Sequence, residues 1–383
     1  MEIIGIICEY NPFHLGHLYQ INQIKKMYPD SLIICILNGT FMQRGELSII
    51  NKWDKTKICL ENQIDIVVEL PFVFATQSAD IFAQGATYIL NELKINKLVF
   101  GSETNDVNLL TKLANTQLNN KNFDELVKKY LDKGINYPTA LSKALEKLTK
   151  TKIDKPNDLL AISYIKEIIK NNYPITPISI KRTNNYHNKD INNEKNQIIN
   201  ASLIRKMIDE KKDISLYVPE ITLKYLNNIP SKEKYYNLLK YQIINNIDNL
   251  NQFQTVDEGL DNLIKKNILA TKNVEELIKS IKTKRYTYNK ISRMLTHILT
   301  NLKKEEVKNL KIDYIRLLGF NKKGQSYLNK IKKEITIPLI TKYSKNNFKL
   351  LNIEKRIAHI YSLLLNDKTT YLQDEYSNKP IIK

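Results

Sequence analysis

Apolar and polar positions follow two patterns along the first hundred residues. Short, nearly continuous apolar runs, which are typical of buried strands, occupy residues 2–10, 31–39, 64–70 and 97–101. Longer amphipathic stretches, which are typical of helices, occupy residues 16–28, 52–62 and 78–93, the last with Ser78 as a candidate N-cap. Strands that alternate with helices predict a parallel sheet covered by helices on both faces, with ligands bound at the carboxyl ends of the strands.

The rest of the chain divides into two parts by the same criterion. Residues 105–150 are polar and helical in character, and 155–170 predict a helix with Asn157 or Asp158 near its start. A strand at 175–182, a polar loop at 183–196 and a helix from about Ala201 complete the α/β pattern. From about residue 215 nearly every segment is amphipathic and helical. We therefore predict an α/β domain at 1–212 and a mostly α-helical domain at 213–383.

Positive charge is concentrated in the second part. The net charge is +19, of which residues 1–210 carry only +3 and residues 211–383 carry +16. Residues 281–350 alone sum to +14. A general lysine bias would not select one half, so the asymmetry favours a surface that binds a polyanion, the alternative being a merely solvated basic face.

Membrane, secreted and disulfide-rich classes do not fit the sequence. No apolar run approaches the roughly 18 residues that a membrane span needs, and no basic leader precedes an apolar stretch. Cys8, Cys35 and Cys59 occur singly inside apolar stretches, which favours buried thiols over disulfides or structural zinc. We expect a cytoplasmic protein with no membrane association.

Two of the five histidines flank a glycine where the first strand should lead into the first helix, in "EYNPFHLGHLYQ". If the helix begins near Gly16, His14 and His17 lie at an N-terminus whose free N–H groups and dipole attract anions. Gly16 allows close approach of a phosphate, and Pro12 stiffens the turn. Two imidazoles at this place can donate hydrogen bonds to phosphate oxygens as charge builds up in a transition state.

Other interpretations of the histidine pair are chance and metal binding. A metal site would need a third ligand, for which His187 is the candidate by topology, and no acidic companion is evident. We therefore expect no metal site at the histidine pair. The position after the first strand of an α/β domain favours nucleotide binding.

Eight segments, in order over both halves of the chain, give the sequence a resemblance to a known family. They are "GIICEYNPFHLGHLYQ", "NGTFMQRGE", "ELPFVFATQSADIFAQGA", "LVFGSE", "KPNDLLAISYIK", "IKRTNNYH", "TKRYTYNKISRMLTHIL" and "IRLLGFNKKGQ". The first is typical of the nucleotidylyltransferase superfamily with its HxGH motif. Jointly the eight resemble the tRNA(Met) cytidine acetate ligase family, which implies a Rossmann-like nucleotidylyltransferase domain and a basic tRNA-binding domain.

The resemblance implies a two-step reaction. Acetate attacks the α-phosphate of ATP to give acetyl-adenylate and pyrophosphate, and the N4 amine of the wobble cytidine in elongator tRNA(Met) then takes the acetyl group. The product is N4-acetylcytidine. Because the lone pair of that amine is drawn into the ring, the amine needs an activated acyl donor. ATP, expected with Mg²⁺, acetate and the tRNA are thus the implied ligands, and no stable protein partner is expected.

The family's site residues can be carried over by position. The resemblance implies His14 and His17 as catalytic residues against the phosphates. It implies an ATP site formed by Ile7, Cys8, Glu9, Tyr10, Asn11, Pro12, Phe13, His14, Leu15, Gly16, His17, Leu18, Tyr19, Gln20, Gly101, Asn157 and Arg182. Without the resemblance, Asn157 would be a helix cap and Gly101 a simple turn. Arg44 suggests a role like that of Arg182, with a surface ion pair as the alternative.

The sequence departs from the superfamily pattern at Leu15 and in one segment, where Asn200, Ala201 and Ser202 replace a hydroxyl-bearing trio. The phosphate-binding helix usually begins with a hydroxyl-rich Ile-Ser-Ser-Thr-x-Ile-Arg segment, which is "INASLIR" here. Ser202 and Arg205 remain as possible phosphate contacts. Leu15 fills a position that is often polar in relatives.

The basic half contains a segment suited to RNA. In "TKRYTYNKISRMLTHIL", Arg285, Tyr288 and either Ser292 or Arg293 recur at helical spacing. The possible tRNA-binding residues are Arg285, Tyr288 and Arg293. The alternative is an ordinary amphipathic helix whose tyrosines cap the core. A small-molecule nucleotidylyltransferase would share the histidine motif without needing this half, and a non-catalytic RNA-binding protein would keep the half and tolerate loss of the histidines.

Overall fold

The sheet at the centre of the molecule contains strands from both halves of the chain. The computed structural model describes residues 1–182, 198–257, 259–343, 348–377 and 379–383, so the predicted loop at 183–196 and His187 lie outside the described residues. Within these ranges eight strands form one sheet: β1 Ile3–Cys8, β2 Leu32–Asn38, β3 Ile66–Leu70, β4 Lys97–Ser102, β5 Thr176–Lys181, β6 Ile315–Phe320, β7 Leu339–Ile340 and β8 Ile381–Ile382.

The five strands of the first half are parallel, as the alternating pattern predicts. The sheet order is β5-β4-β1-β2-β3-β6-β7, and β8 pairs with β6. β1 pairs in register with β2 from Ile3 opposite Leu32 to Cys8 opposite Leu37. Every residue of β2 and β3 is buried, which explains why these strands appear as nearly continuous apolar runs, interrupted by Asn38 and Glu69 alone.

Helices occur in both parts of the chain. Those of the first part are α1 Leu15–Met27, α2 Lys52–Glu61, α3 Phe72–Ala75, α4 Ala79–Glu92, α5 Val107–Asn119, α6 Phe123–Asp132, α7 Tyr137–Thr149, α8 Pro156–Lys170 and α9 Ala201–Asp209. Local chemistry sets their starts: the Asn51 side chain accepts from two N–H groups of α2, and α8 opens on a proline. Ser78 is the N-cap residue of α4, although its side chain makes no capping bond.

The second part is mostly helical. Its helices are α10 Glu220–Lys224, α11 Lys232–Asn245, α12 Leu260–Asn267, α13 Val274–Ile281, α14 Tyr288–Leu299, α15 Lys304–Val307, α16 Lys322–Ile331, α17 Lys349–Leu364 and α18 Lys368–Ser377, with a short 3₁₀ turn at Leu250–Gln252. The predicted fold class, an α/β sheet followed by a mostly helical region, is confirmed.

Three strands in the second part were not predicted. β6 pairs antiparallel with β3, with Ile66 opposite Phe320, and β7 and β8 add to β6. One buried apolar cluster consequently runs from β1 through β6 to α17. The two parts therefore share a sheet and a core, and the division near residue 212 stays a prediction.

A buried ionic network joins the distant end of the chain to the sheet. Lys52 donates to Glu69 and to Glu375, both at 2.7 Å, and Arg316 donates to the same two carboxylates at 3.2 and 2.8 Å. The indole N–H of Trp53 also donates to Glu375, at 2.9 Å. These four charged side chains are at most 3% exposed, so two cations and two anions compensate one another away from water.

Candidate nucleotide site

The carboxyl edge of the sheet opens where the strand order reverses. β2 and β3 follow β1 on one side, and β4 and β5 lie on the other side. In open α/β sheets ligands bind in the crevice at such a reversal. Residues 9–14 lie between the end of β1 and the start of α1, and so they form this edge of the crevice.

The two histidines form a reciprocal cap at the start of α1. His14 is the N-cap residue, and its Nδ1 accepts the Gly16 N–H at 3.0 Å. The backbone N–H of His14 donates in turn to Nδ1 of His17 at 3.2 Å. The two ring centroids are 3.8 Å apart. The histidine spacing that the sequence showed is therefore the spacing of a capping box, with imidazoles in place of the usual hydroxyl and carboxylate.

Both imidazoles are neutral hydrogen-bond donors. Because each Nδ1 accepts a backbone N–H, the ring proton of each neutral histidine resides on Nε2. Burial, and then the positive charge of Arg182, lower the pKa of His14 to about 3. Burial, His14 and Arg182 lower the pKa of His17 well below its usual value. At neutral pH the pair therefore offers two N–H donors without adding charge.

Gly16 leaves no room for a side chain. A Cβ at this position would lie 2.8 Å from Cε1 of the His14 ring and 3.2 Å from the Ile198 side chain. Any larger residue would displace the ring that caps the helix. The sequence predicts glycine here because a phosphate must approach closely. The structure adds a second reason, which is the packing of the His14 ring against Gly16.

The remaining residues of the predicted ATP segment surround the histidine pair. Ile7 and Cys8 end β1, and Leu15, Leu18, Tyr19 and Gln20 belong to the first turns of α1, where they are half-buried. Tyr10, Pro12 and Phe13 are buried, with the Tyr10 ring 4.6 Å from that of His17. The Asn11 side chain is fixed by Leu47 O at 2.9 Å and Ile49 N at 2.8 Å.

Glu9 connects this turn to the loop that follows β2. Its carboxylate accepts the backbone N–H of Gln43 at 2.6 Å, and burial raises its pKa. The ammonium of Lys55 donates to the carbonyl oxygens of Glu9, Asn38 and Gly39 at 2.7 to 3.1 Å. Burial lowers the pKa of Lys55 to about 8. The lysine thus ties the ends of β1 and β2 together, a role that the sequence did not indicate.

Gly101 and Arg182 meet at the ends of β4 and β5. A Cβ on Gly101 would lie 3.2 Å from Cγ of Arg182. The backbone N–H of Arg182 donates to Ser102 O at 2.9 Å, which continues the pairing of the two strands. The guanidinium charge acts on both His14 and His17. The structure therefore brings together the histidine pair and an arginine that the sequence placed 165 residues away.

The loop after β4 is held by a carboxylate that sequence reasoning missed. Asp158 is fully buried and accepts hydrogen bonds from Ser102 Oγ at 2.5 Å, Glu103 N at 3.0 Å and Thr104 Oγ1 at 2.6 Å. Glu103 returns the contact by accepting from Asp158 N at 3.1 Å and from Asn157 Nδ2 at 2.5 Å. Asn157 therefore lies beside Gly101 through Glu103, and it does not cap α8, whose N-cap is Lys155.

Ser202 and Arg205 lie in the first turns of α9. Arg205 donates to Asn11 O at 2.8 Å, and it forms an ion pair with Glu46. Its second guanidinium nitrogen lies 3.3 Å from Ser202 Oγ. Asn200 caps the helix by accepting from Leu203 N at 2.8 Å, so this residue, which replaces a hydroxyl of the superfamily pattern, acts at the helix start.

The possible RNA residues lie apart from one another. Arg285 precedes α14, is exposed and lies over the ring of Tyr286 with 6.0 Å to the centroid. Tyr288 opens α14 and is 39% exposed, while Arg293 lies half-buried further along the same helix. The backbone of Arg293 lies against Gly45 in the loop after β2.

The described residues contain neither a metal-binding cluster nor a membrane-spanning helix. No group of three or more His, Cys, Asp or Glu side chains there could hold a metal ion. Cys8, Cys35 and Cys59 are free and buried, as the sequence predicted. None of the helices among the described residues is both long and apolar enough to cross a membrane.

A parallel sheet with a capped HxGH turn at its reversal point defines an α/β nucleotidyl transferase. The HIGH nucleotidyl transferase family profile matches residues 1–376. Among curated proteins, the tRNA(Met) cytidine acetate ligases of Geobacillus sp. and Clostridium perfringens are 36% and 38% identical, each over 100% of both chains. That of Bacillus subtilis is 35% identical over 100% of this chain and 97% of its own.

Solved structures give the same result. The Thermotoga maritima protein TmcAL, bound with alpha-thio ATP, is 27% identical, with a TM-score of 0.89 over 100% of this chain and 99% of that chain. Its apo form gives a TM-score of 0.90. The chain belongs to the tRNA(Met) cytidine acetate ligase family, within the HIGH nucleotidyl transferases, and it is an enzyme of the ligase class.

Proposed function

We propose that the protein binds ATP in the crevice at the end of β1, activates acetate as acetyl-adenylate and transfers the acetyl group to the wobble cytidine of elongator tRNA(Met). The observation that carries the proposal is the pair of neutral imidazoles at the start of α1 beside the Arg182 charge. Support also comes from full-length similarity to proteins of that name and to a structure bound with alpha-thio ATP.

In the first step a carboxylate oxygen of acetate attacks the α-phosphorus of ATP, and pyrophosphate leaves. Negative charge builds up on the phosphate oxygens as the new bond forms. The Nε2–H groups of His14 and His17 and the guanidinium of Arg182 would stabilise that charge. Because the histidines remain neutral, they can act as donors without losing a proton.

The adenosine would lie along the ends of β4 and β5. Gly101 offers bare backbone there, and the Asn157 amide can hydrogen-bond the base or ribose while Glu103 fixes its orientation. Asp158 acts through Glu103 and Ser102 as a positioning residue, since its bonds stay within the protein. We expect Mg²⁺ to accompany ATP and to be coordinated chiefly by the phosphate oxygens.

In the second step the N4 amine attacks the acetyl carbonyl, AMP leaves and the amine loses a proton. The excess positive charge of residues 281–350 would attract the tRNA. We place the reaction in the cytoplasm, where the tRNA is available, with no stable protein partner.

The test is to incubate the purified protein with ATP, labelled acetate and unmodified tRNA(Met), and to digest the tRNA to nucleosides. We expect label in N4-acetylcytidine only when ATP is present, and exchange of labelled pyrophosphate into ATP only when acetate is present. Label that depends on acetyl-CoA in the absence of ATP would overturn the proposal. Transfer of the AMP group to a small molecule would instead identify a cofactor-forming nucleotidylyltransferase.

A further inference from the structure

The loop after β2 packs closely against the basic helix α14. Gly45 has φ +83°, and a Cβ there would lie 2.6 Å from the backbone nitrogen of Arg293. The hydroxyl of Thr296 donates to Gly45 O at 2.7 Å. Only glycine allows this backbone to approach the helix so closely. The contact fixes Arg44, the residue before Gly45, next to Arg293 of the helix.

No carboxylate among the described residues forms an ion pair with either arginine, although the charge of Arg44 acts on Glu9. Arg44 is exposed and Arg293 is half-buried, and within the described ranges neither guanidinium forms an ion pair. The Nε of Arg293 is buried without an acceptor. Burial and the charge of Arg44 lower the pKa of Arg293 to about 10, so the Arg293 guanidinium remains charged at neutral pH. Two cations held together in this way leave a place for one anion.

The nearby carboxylates do not fill that place. Glu46 forms its ion pair with Arg205, which lies on α9. The Glu9 carboxylate accepts a hydrogen bond from the backbone N–H of Gln43, and burial raises the pKa of Glu9. Since Gln43 immediately precedes Arg44, the same contact places the arginine pair beside the end of β1, between the nucleotide crevice and α14.

We propose that Arg44 and Arg293 together bind one backbone phosphate of the RNA, close to the nucleotide that is acetylated. The inference rests on the proposed function. A base that reaches an acyl-adenylate in the crevice must bring its flanking phosphates to the rim, and two guanidinium groups match the oxygens of a phosphodiester. The loop would thus align the RNA with the active site directly.

The test is to measure the affinity for tRNA(Met) at several salt concentrations for Arg44→Gln, Arg293→Gln and the double variant. Each single variant should lose about tenfold in affinity, the size of one charge-assisted hydrogen bond. The slope of log K against log salt should decrease by about 0.7 to 0.9, the value for one phosphate. Because the two arginines share that phosphate, the double variant should lose no more slope than a single one.

Two readouts separate this role from a structural one. Arg293→Gln removes a charge that is unpaired and repelled by Arg44, so the stability to urea should be unchanged or higher. Acetate-dependent exchange of pyrophosphate into ATP should stay the same in all three variants. The matched control is Lys112→Gln, which removes one exposed charge from α5 and should leave tRNA affinity unchanged.

Wild-type affinity and salt slope in both single variants would overturn the inference, as would a doubled slope change in the double variant. Slower exchange with unchanged tRNA binding would assign the pair to ATP and overturn it as well. A wild-type protein that binds tRNA but never acetylates it would refute the proposed function, while the binding data would still decide whether the arginine pair holds a phosphate.

Discussion

Replacing His14 by Asn separates the two roles that the structure gives this side chain. The structural role is to accept the Gly16 N–H at the start of α1 through Nδ1, 3.0 Å away. The chemical role is to present an Nε2–H donor. Asn is among the preferred N-cap residues because its side-chain oxygen accepts the same backbone N–H groups. The Asn variant therefore keeps the cap and loses the imidazole donor, whereas an Ala variant loses both.

The expected sizes follow from these two losses. Loss of an N-cap costs about 1 kcal/mol, so His14→Ala should lower the free energy of unfolding by at least that much and His14→Asn by less. Removing one preorganised donor from a developing negative charge slows a reaction about 10²- to 10³-fold. The Asn variant should therefore be folded and slow.

Acetate-dependent exchange of pyrophosphate into ATP measures this first step without tRNA. Because the pKa of His14 is about 3, its imidazole is neutral from about pH 5.5 to 8, and the wild-type rate should show no histidine titration there. An Asn variant that is as fast as wild type would refute the assignment. A wild-type rate that rises as pH falls through about 6.5 would show instead that a charged imidazole acts.

Stability gives an independent check with a definite sign. The folded state holds His14 at a pKa of about 3, below the 6.5 of the free side chain, so it binds fewer protons than the unfolded state. The contribution of neutral His14 to the free energy of unfolding is thus complete above pH 6.5, and it is lost as the pH falls from there toward 3. His14→Asn should lose less stability than wild type over that range, as measured by urea unfolding at each pH.

Three further predictions concern other parts of the molecule. Glu375→Gln should lower the free energy of unfolding in urea at pH 7 by about 3 to 5 kcal/mol, because it leaves a buried cation uncompensated. The control is Glu61→Gln, in the exposed pair with Lys383, which should cost less than about 1 kcal/mol. Equal effects of the two substitutions would contradict this account. Burial, and then Glu69, raise the pKa of Glu354 to about 8, so stability should fall as pH rises from 4.5 toward 8, a decline that should be absent in Glu354→Gln. Asp158→Asn replaces one acceptor oxygen by an NH2 donor that faces other donors, and it should weaken ATP binding, as measured by calorimetry, without changing tRNA binding. Unchanged ATP affinity would argue against the positioning role of Asp158.

Much of the sheet could be predicted from the sequence because its signals are local. The strands β1 to β5 appear as apolar runs separated by amphipathic helices, and the five of them occur where the pattern places them. β6 escaped prediction for a physical reason. A run of six residues that is apolar apart from Arg316 has no periodicity that separates a strand from a helix, and its partner β3 lies far away along the chain.

The candidate site was predictable in part. The spacing of His14 and His17 around a glycine indicated a helix start that faces a phosphate, and the structure places both at that start. Their neutral state could not be inferred, since it results from burial and from Arg182, which only the tertiary fold brings close. Asp158 was noticed as a residue near a helix start, but nothing local reveals that its carboxylate holds the loop after β4.

The antiparallel pairing of β6 with β3 has a consequence for biosynthesis. Leu70 ends β3, and its neighbour in the sheet begins at Ile315, about 245 residues later. At about 5 to 20 residues per second, the ribosome needs roughly 12 to 50 s to deliver the second strand after the first. During that time the nascent chain carries β3, in which every residue except Glu69 is apolar, with an open edge, a species prone to pairing with other chains. Production of the enzyme should therefore be sensitive to chaperone supply, and more so than the stability of the finished protein would suggest.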